Sequence, residues 1–396
     1  MYMLSSFSLT SWRGIGTLTI ELGMRTYIMG ANGSGKTHIL DAIHMLSGAR
    51  PLYGDATLDA GSEFEGIFSG NELRKSYRMV RDDTREYYAI QGSKITKPKY
   101  MTALPWRTVH ISPFDMNLLY FAPAMRRDYI DLILSRTYAQ FPGIKRDYDL
   151  AMRQRNAMLK SIRDGVSKRE DLDYWDGKFA EVAESYGLYR ARYCDYVREM
   201  IPAFPTFFAK YAPEFHYESS VVNSRLFIQD SKWESSYSDT EIILQYLRDN
   251  RERDILTGHT HIGPHRDDWG FRIIQNEKLK IKNIENVSRW NSVSLPDFES
   301  WILNLESWVP VESYLSRGEM KMLLLGLKMI ERQFIAMTLD LPVILLIDDI
   351  FAELDEDNSD IFLSSLMQYQ VILTSQKSLP NHEKYHDFAC INLGND

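Results

Sequence analysis

The octapeptide Gly30-Ala31-Asn32-Gly33-Ser34-Gly35-Lys36-Thr37 narrows what this chain can fold into more than any other segment. It fits Gly-x-x-x-x-Gly-Lys-Ser/Thr in full, and its surroundings agree with it. Residues 27–29 read as a short buried strand, and Ile39, Leu40, Ile43 and Leu46 follow at helical spacing. A glycine turn between strand and helix lets backbone N–H groups point inward as a nest for phosphate oxygens, at the helix end whose dipole favours anions. In that setting Lys36 neutralises the β/γ charge of a nucleotide and Thr37 offers its hydroxyl to Mg2+. A bare glycine turn accounts for neither residue.

A second site closes the apolar run Val343-Ile344-Leu345-Leu346-Ile347, which ends in Asp348-Asp349. Such a run reads as a strand covered on both faces, and open α/β sheets bind ligands at the carboxyl ends of their strands. Asp348 is placed there to hold Mg2+, directly or through water, and Asp349 to orient or deprotonate an attacking water. Taken alone, the pair also fits the cap of a following helix. The glycine loop favours the catalytic reading.

Roughly three hundred residues separate the two segments, so an insertion is expected. Leu172, Trp175, Phe179, Val182, Tyr186, Tyr189, Tyr193, Tyr196 and Met200 alternate spacings of three and four, an a/d seam on a helix some 40 Å long. Tyr148, Met152, Arg155, Leu159 and Ile162 repeat that spacing with one polar intruder, and Gly165 lies between the two runs. A helical hairpin follows, either projecting or packed as the core of a helical domain. Strand patterns lie at residues 17–22, after a turn at Gly14 and Gly16, and return at 269–274, 343–347 and 371–374. The expected organisation is a head from 1–112, a helical lobe over 113–255, and the head's C-terminal part over 256–396. Residues 275–312 read as a polar connector.

Leu315-Ser316-Arg317-Gly318-Glu319-Met320 precedes a helix bearing Leu323, Leu324, Leu327, Ile330 and Phe334. By itself Ser-x-Gly-Glu is a helix cap with a Glu in the first turn. Ahead of a carboxylate-tipped strand it resembles the signature motif of ABC-type ATPases, and Ala352-Glu353-Leu354-Asp355 resembles their D-loop. The resemblance narrows further. The glycine loop, Pro123-Ala124-Met125-Arg126-Arg127-Asp128-Tyr129-Ile130-Asp131, Gln154-Arg155-Asn156, Gly263-Pro264-His265-Arg266-Asp267-Asp268, the Ser316 segment and Asp348-Asp349-Ile350-Phe351 stand in the order found in the RecF family. Trp12-Arg13-Gly14 is similar to the Phe-Arg-Asn after that family's first strand.

This resemblance implies an α/β fold, an ABC/SMC-type P-loop ATPase head with an inserted α-helical lobe. It implies ATP held by Gly30, Ala31, Asn32, Gly33, Ser34, Gly35, Lys36, Thr37 and Arg13, with Mg2+ at Thr37 and Asp348, and catalysis by Asp349 and Lys36. Ser316, Gly318, Glu319 and Asp355 would reach the nucleotide of a second copy. Also implied are an ATP-dependent homodimer, slow DNA-stimulated hydrolysis, and binding to gapped, single- or double-stranded DNA. The family's work is recombinational repair and replication restart, loading the RecA recombinase at single-strand gaps with RecR and RecO partners. Departures exist: Glu319 stands where that family usually has Gln, and His110-Ile111-Ser112-Pro113-Phe114-Asp115 lacks the Glu expected after the proline. Residues 51–100 match poorly, and Thr374 or Ser375 takes the place of the switch histidine of transport ATPases.

Charge and composition bound the alternatives. With 46 basic and 54 acidic residues the net charge is −8, which excludes a globally basic DNA coat. DNA contact must use a patch, and residues 145–170 carry eight basic side chains against four acidic ones. Lys145, Arg146, Arg153 and Arg155 there, with Arg126 and Arg127, are the candidate phosphate contacts; a solvated helix face with i,i+4 pairs fits the same residues. Cys194 and Cys390 are the only cysteines, which fits a reducing compartment, and no run nears the roughly 20 apolar residues of a membrane helix. The N-terminus has no signal-peptide pattern, so a cytoplasmic location is expected. Rival readings are another SMC-like head for defence or repair, a transport ATPase subunit, and a scaffold using ATP as structural glue. His259, His261 and His265 beside Asp267 and Asp268 also suit a Zn2+ or Fe2+ site, against a plain turn.

Overall fold

A computed structural model describes residues 2–51, 59–70, 73–83, 85–120, 123–220, 240–274, 308–376 and 387–393. The polar connector therefore lies outside the described residues, apart from its last five positions. The chain divides into two compact units, Met1–Asn117 with Lys321–Asp396, and Leu118–Met320.

The first unit holds two sheets. β1 (Met3–Trp12), β2 (Ile15–Glu21), β4 (Glu63–Gly70), β5 (Leu73–Arg81), β6 (Glu86–Ile90) and β7 (Ser93–Ile95) form an antiparallel sheet in the order β2-β1-β4-β5-β6-β7. β3 (Arg25–Gly30), β8 (Arg107–Ile111), β12 (Val343–Asp348), β13 (Val371–Ser375) and β14 (Ala389–Leu393) form a parallel sheet in the order β14-β3-β13-β12-β8. Every residue of β12 is buried, as a strand flanked by two neighbours inside a parallel sheet requires. In β4, Phe64, Gly66 and Phe68 face the core in alternation with Glu63 and Glu65. Gly66 is forced, because a Cβ there would come within 2.8 Å of Leu46.

Helix α1 (Lys36–Leu46) follows the glycine loop and buries Ile39, Leu40, Ile43 and Leu46 completely, in one core with Leu4, Phe7, Phe64 and Trp106. At about 1.5–3 kcal/mol for each fully buried large aliphatic side chain, this face anchors the loop ahead of it. β13 lies between β3 and β12, all parallel, so the ends of β3 and β12 emerge at one edge. That register brings sequence-distant segments together.

The second unit contains α4 (Pro123–Thr137), the hairpin of α5 (Phe141–Arg163) and α6 (Leu172–Met200), α8 (Thr240–Asp249), α9 (Arg251–Thr257), and an antiparallel sheet β11-β10-β9 of Trp308–Pro310, Asp268–Ile274 and Glu214–Glu218. It runs past residue 255, where the helical lobe was expected to end. The expected hairpin is present, turning at Gly165 with a left-handed φ of 75°. It is antiparallel: the Tyr148 ring packs at a tilt against Phe179 and Tyr186, and Leu159 packs on Leu172 at the turn end.

The seam of α6 differs from the apolar pattern in one file. Leu172, Phe179, Tyr186 and Tyr193 are buried as expected, but their companions are Asp176, Ala183, Arg190 and Val197. Trp175, Val182, Tyr189 and Tyr196 are only half-buried. A pattern built on apolar residues passes over two charged positions whose partners come from elsewhere in the chain.

Candidate nucleotide-binding site

Gly33 and Gly35 take left-handed φ values of 80° and 89°, which turn the loop's amides toward a common centre. Gly30 has no room for a side chain, since a Cβ would meet Ser34 Oγ at 2.6 Å. Ala31, Asn32 and Gly33 are exposed at the tip. Lys36 is only 7 % exposed, and its ammonium donates to the carbonyls of Gly30 and Ala31, each at 2.7 Å. Ser34 Oγ is buried with no hydrogen-bond partner. A buried cation resting on its own loop, beside an unsatisfied hydroxyl, is the chemistry of a cradle built for an anion.

Thr37 Oγ1 donates to Asp348 Oδ2 at 2.8 Å across 311 positions of sequence. From β13, Thr374 Oγ1 donates to Asp348 Oδ1 at 2.6 Å. A carboxylate and two hydroxyls from three segments thus converge at the sheet edge, a hard oxygen set that fits Mg2+. Asp349 has a left-handed φ of 43°, uncommon for a residue with a side chain, and its Oδ2 accepts from Gln376 Nε2 at 3.0 Å. The helix-cap alternative for this pair belongs instead to Asp355, whose Oδ1 accepts from the Asn358 amide at 2.7 Å, at the start of α11 (Glu356–Leu366). Asp349 makes no side-chain cap bond.

Arg13 and Gly14, with φ values of 45° and 84°, form the two-residue hairpin turn closed by the Trp12–Ile15 pair. The Arg13 guanidinium lies over Trp12 and pairs with buried Asp41 of α1 at 3.0 Å. Burial, then the nearby Arg13 charge, lowers the pKa of His38 in that helix. Asp115 lies two residues past Pro113, in the segment that lacks the expected Glu. Its carboxylate accepts from the Ser112 amide at 2.7 Å and pairs at 3.0 Å with Lys328 of α10 (Arg317–Leu339). Burial acts against both charges, but their mutual attraction outweighs it, lowering the pKa of Asp115 and raising that of Lys328. Neighbouring His110 is pushed down to about 4, chiefly by burial.

In the second unit Ser316 is exposed, and a Cβ on Gly318 would meet nothing within 4 Å. Ser316 N and Oγ both donate to Glu319 Oε2 at 2.9 Å, and the Glu319 amide faces Ser316 Oγ at 3.4 Å, a capping box. Glu319 Oε1 accepts from Lys210 Nζ at 3.0 Å and from the Tyr211 hydroxyl.

One expected DNA contact is overturned. Arg155 is wholly buried, donating to Asp176 and Asp254 at 2.8 Å and to Thr260 at 2.7 Å, so no phosphate backbone reaches it. Arg126 forks onto Asp268 at 2.7 and 2.6 Å, Arg127 donates to the Asp267 carbonyl at 2.9 Å, and Lys145 pairs with Asp131 and Asp149. Arg146 and Arg153 are exposed on α5. His261 faces Asp254 at 2.8 Å and His265 faces Tyr148 and the Thr260 carbonyl at 2.6 and 3.0 Å. Among the described residues no three His, Cys, Asp or Glu side chains gather as metal ligands, and no helix is long and apolar enough to cross a membrane. Sequence reasoning missed Gln376 and Lys328. The register of β13 past its end would have pointed to the first, and nothing local marks the second.

No profile of a known protein family matches the chain. Among curated proteins it is 26 % identical to the DNA replication and repair protein RecF of Vibrio vulnificus (strain YJ016), over 93 % of this chain and 94 % of that one. It is 27 % identical to RecF of Acidothermus cellulolyticus, over 89 % and 88 % of the two chains. Among solved structures, one titled as the recombination mediator protein RecF-ATPrS in the RecFOR pathway superposes with a TM-score of 0.73 at 19 % identity, covering 99 % of this chain and 96 % of the other. Its RecF-ATP counterpart gives 0.72 at 20 % identity, covering 95 % and 92 %. The resemblance to RecF thus extends over nearly the whole chain, and the α/β head with an inserted helical lobe is the fold the two share.

Proposed function

We propose that this chain is an ATP-hydrolysing DNA replication and repair protein that acts as an ATP-gated clamp on DNA, as its RecF relatives suggest. The observation that carries the reading is the Thr37–Asp348 contact at 2.8 Å, which joins the glycine loop to the carboxylate strand as a nucleotide–Mg2+ site requires. Lys36 turns from the loop carbonyls to the β/γ oxygens, and the loop amides and Ser34 Oγ complete the cradle. Mg2+ held by Thr37 and Asp348 neutralises phosphate charge when bound. Asp349, steadied by Gln376, accepts the proton of the attacking water.

Two heads close face to face, each presenting Ser316 and Gly318 to the other's nucleotide, with Asp355 nearby and Arg13 beside the loop. The exposure of Ser316 and the open space over Gly318 support this arrangement. Hydrolysis removes the γ-phosphate contacts, so turnover times release. Arg146 and Arg153, exposed on α5, and the half-buried Arg126, Arg127 and Lys145 are the candidates for backbone contact with gapped, single- or double-stranded DNA. By resemblance, the cytoplasmic protein works with RecR- and RecO-type partners to load recombinase at single-strand gaps.

ATP turnover of Asp349→Asn tests the reading. Loss of a general base lowers the rate by about 100-fold or more while ATP binding persists. Unchanged hydrolysis in Asp349→Asn contradicts the assigned base.

A further inference from the structure

Glu319 poses an electrostatic problem for a turn that meets a triphosphate. As found, the single Ser316 hydroxyl proton is given to Glu319 Oε2, while the Glu319 amide takes an oxygen lone pair. A hydroxyl so engaged has no proton left for a phosphate oxygen. The carboxylate also adds a negative charge within one helical turn of the approaching anion, where like charges repel.

Both difficulties are met from one place. Lys210 and Tyr211 follow the short helix Pro205–Phe208 and converge on Glu319 Oε1, opposite the oxygen that holds Ser316. The Lys210 ammonium also lies 4.9 Å from the centre of the Tyr211 ring, so the two side chains act as one group. An ion pair as exposed as this one, with the Lys210 side chain 72 % accessible, adds little to stability. Its consequence falls on the signature turn.

We propose that Lys210 and Tyr211 are positioning residues for that turn: they draw the Glu319 charge to Oε1 and neutralise it, so that Ser316 can exchange its bond to Oε2 for one to the γ-phosphate of a second copy. A glutamine at 319, uncharged, needs no such counter-charge. The inference rests on the two-headed reading above and names what makes a glutamate workable within it.

The test is ATP–Mg2+-dependent dimerisation of the full chain, followed by sedimentation. Lys210→Met raises the half-saturating ATP concentration by about tenfold, since the pair is present twice in a two-fold dimer, and Tyr211→Phe raises it by about threefold. Lys210→Arg restores the wild-type value. In a Glu319→Gln background Lys210→Met has no further effect, whereas a merely structural Lys210 gives the same shift in both backgrounds. An equal shift in both, or none in the wild-type background, overturns the proposal. A wild-type chain that stays monomeric with ATP and Mg2+ instead overturns the two-headed reading on which it rests.

Discussion

Two buried cations, Lys36 in the head and Arg155 in the helical unit, are handled in opposite ways. Lys36 rests on two backbone carbonyls of its own loop, and among the described residues no carboxylate pairs with it. Arg155 is enclosed by Asp176, Asp254 and the Thr260 hydroxyl. Arg190 repeats the second pattern, forking onto Asp131 at 2.9 Å and donating to the Tyr186 hydroxyl at 2.6 Å. A buried charge left without a counter-ion is kept for a ligand, and one that is matched is kept for the fold. The head holds its charge in reserve, while the helical unit uses its charge to join helices.

The largest expected effect is on the matched side. Arg155→Met leaves buried Asp254 without its guanidinium and takes from buried Asp176 one of two, Arg251 remaining; it costs about 3–5 kcal/mol, read as a loss of the helical unit's stability in denaturant. A change under about 1 kcal/mol would break the comparison, because surface sites behave that way. On the reserved side, Lys36→Met lowers ATP affinity by about 100-fold, close to 3 kcal/mol, in a nucleotide titration. It leaves the unfolding midpoint of the nucleotide-free protein in place. A large drop in that midpoint would mean that Lys36 also serves the fold.

Acid sharpens the contrast more gently. Burial pushes His110 in the head, and His216 and His265 in the helical unit, down to about 4 from 6.5. Each is neutral when folded and takes up a proton on unfolding below its unfolded value. Stability is therefore full above about pH 6.5 and declines toward pH 4, by about 1–2 kcal/mol for each histidine by pH 5. His38 in the head is lowered too, but less far; two of the three large shifts lie in the helical unit, so its unfolding should be the more acid-sensitive. Denaturant curves at pH 7 and pH 5 check this, and equal sensitivity of the two units would remove that asymmetry.

The same contrast explains what the sequence made legible. The glycine loop, the strand ending in Asp348-Asp349 and the hairpin around Gly165 depend on local spacing, and each can be read directly from the residues. The seam of α6 could not be read fully, because Asp176 and Arg190 look like solvent-facing positions until Arg155 and Asp131 are placed against them. Arg155 departs from the solvent-facing expectation for the same reason: a basic run measures composition, and only tertiary partners decide which of its members reach solvent. The pairing of Asp115 with Lys328 likewise joins positions whose proximity only the fold creates.

The central claim is that each catalytic pocket takes its loop from one chain and its signature turn from another. Mixing two inactive variants tests it most directly: Asp349→Asn, which lacks the base, and Ser316→Arg, which blocks the turn. In an equimolar mixture about half the dimers are mixed and each has one intact pocket, so ATP turnover should recover to about a quarter of the wild-type rate. A mixture no more active than its two parents, or a Ser316→Arg chain that hydrolyses ATP normally by itself, would contradict the claim.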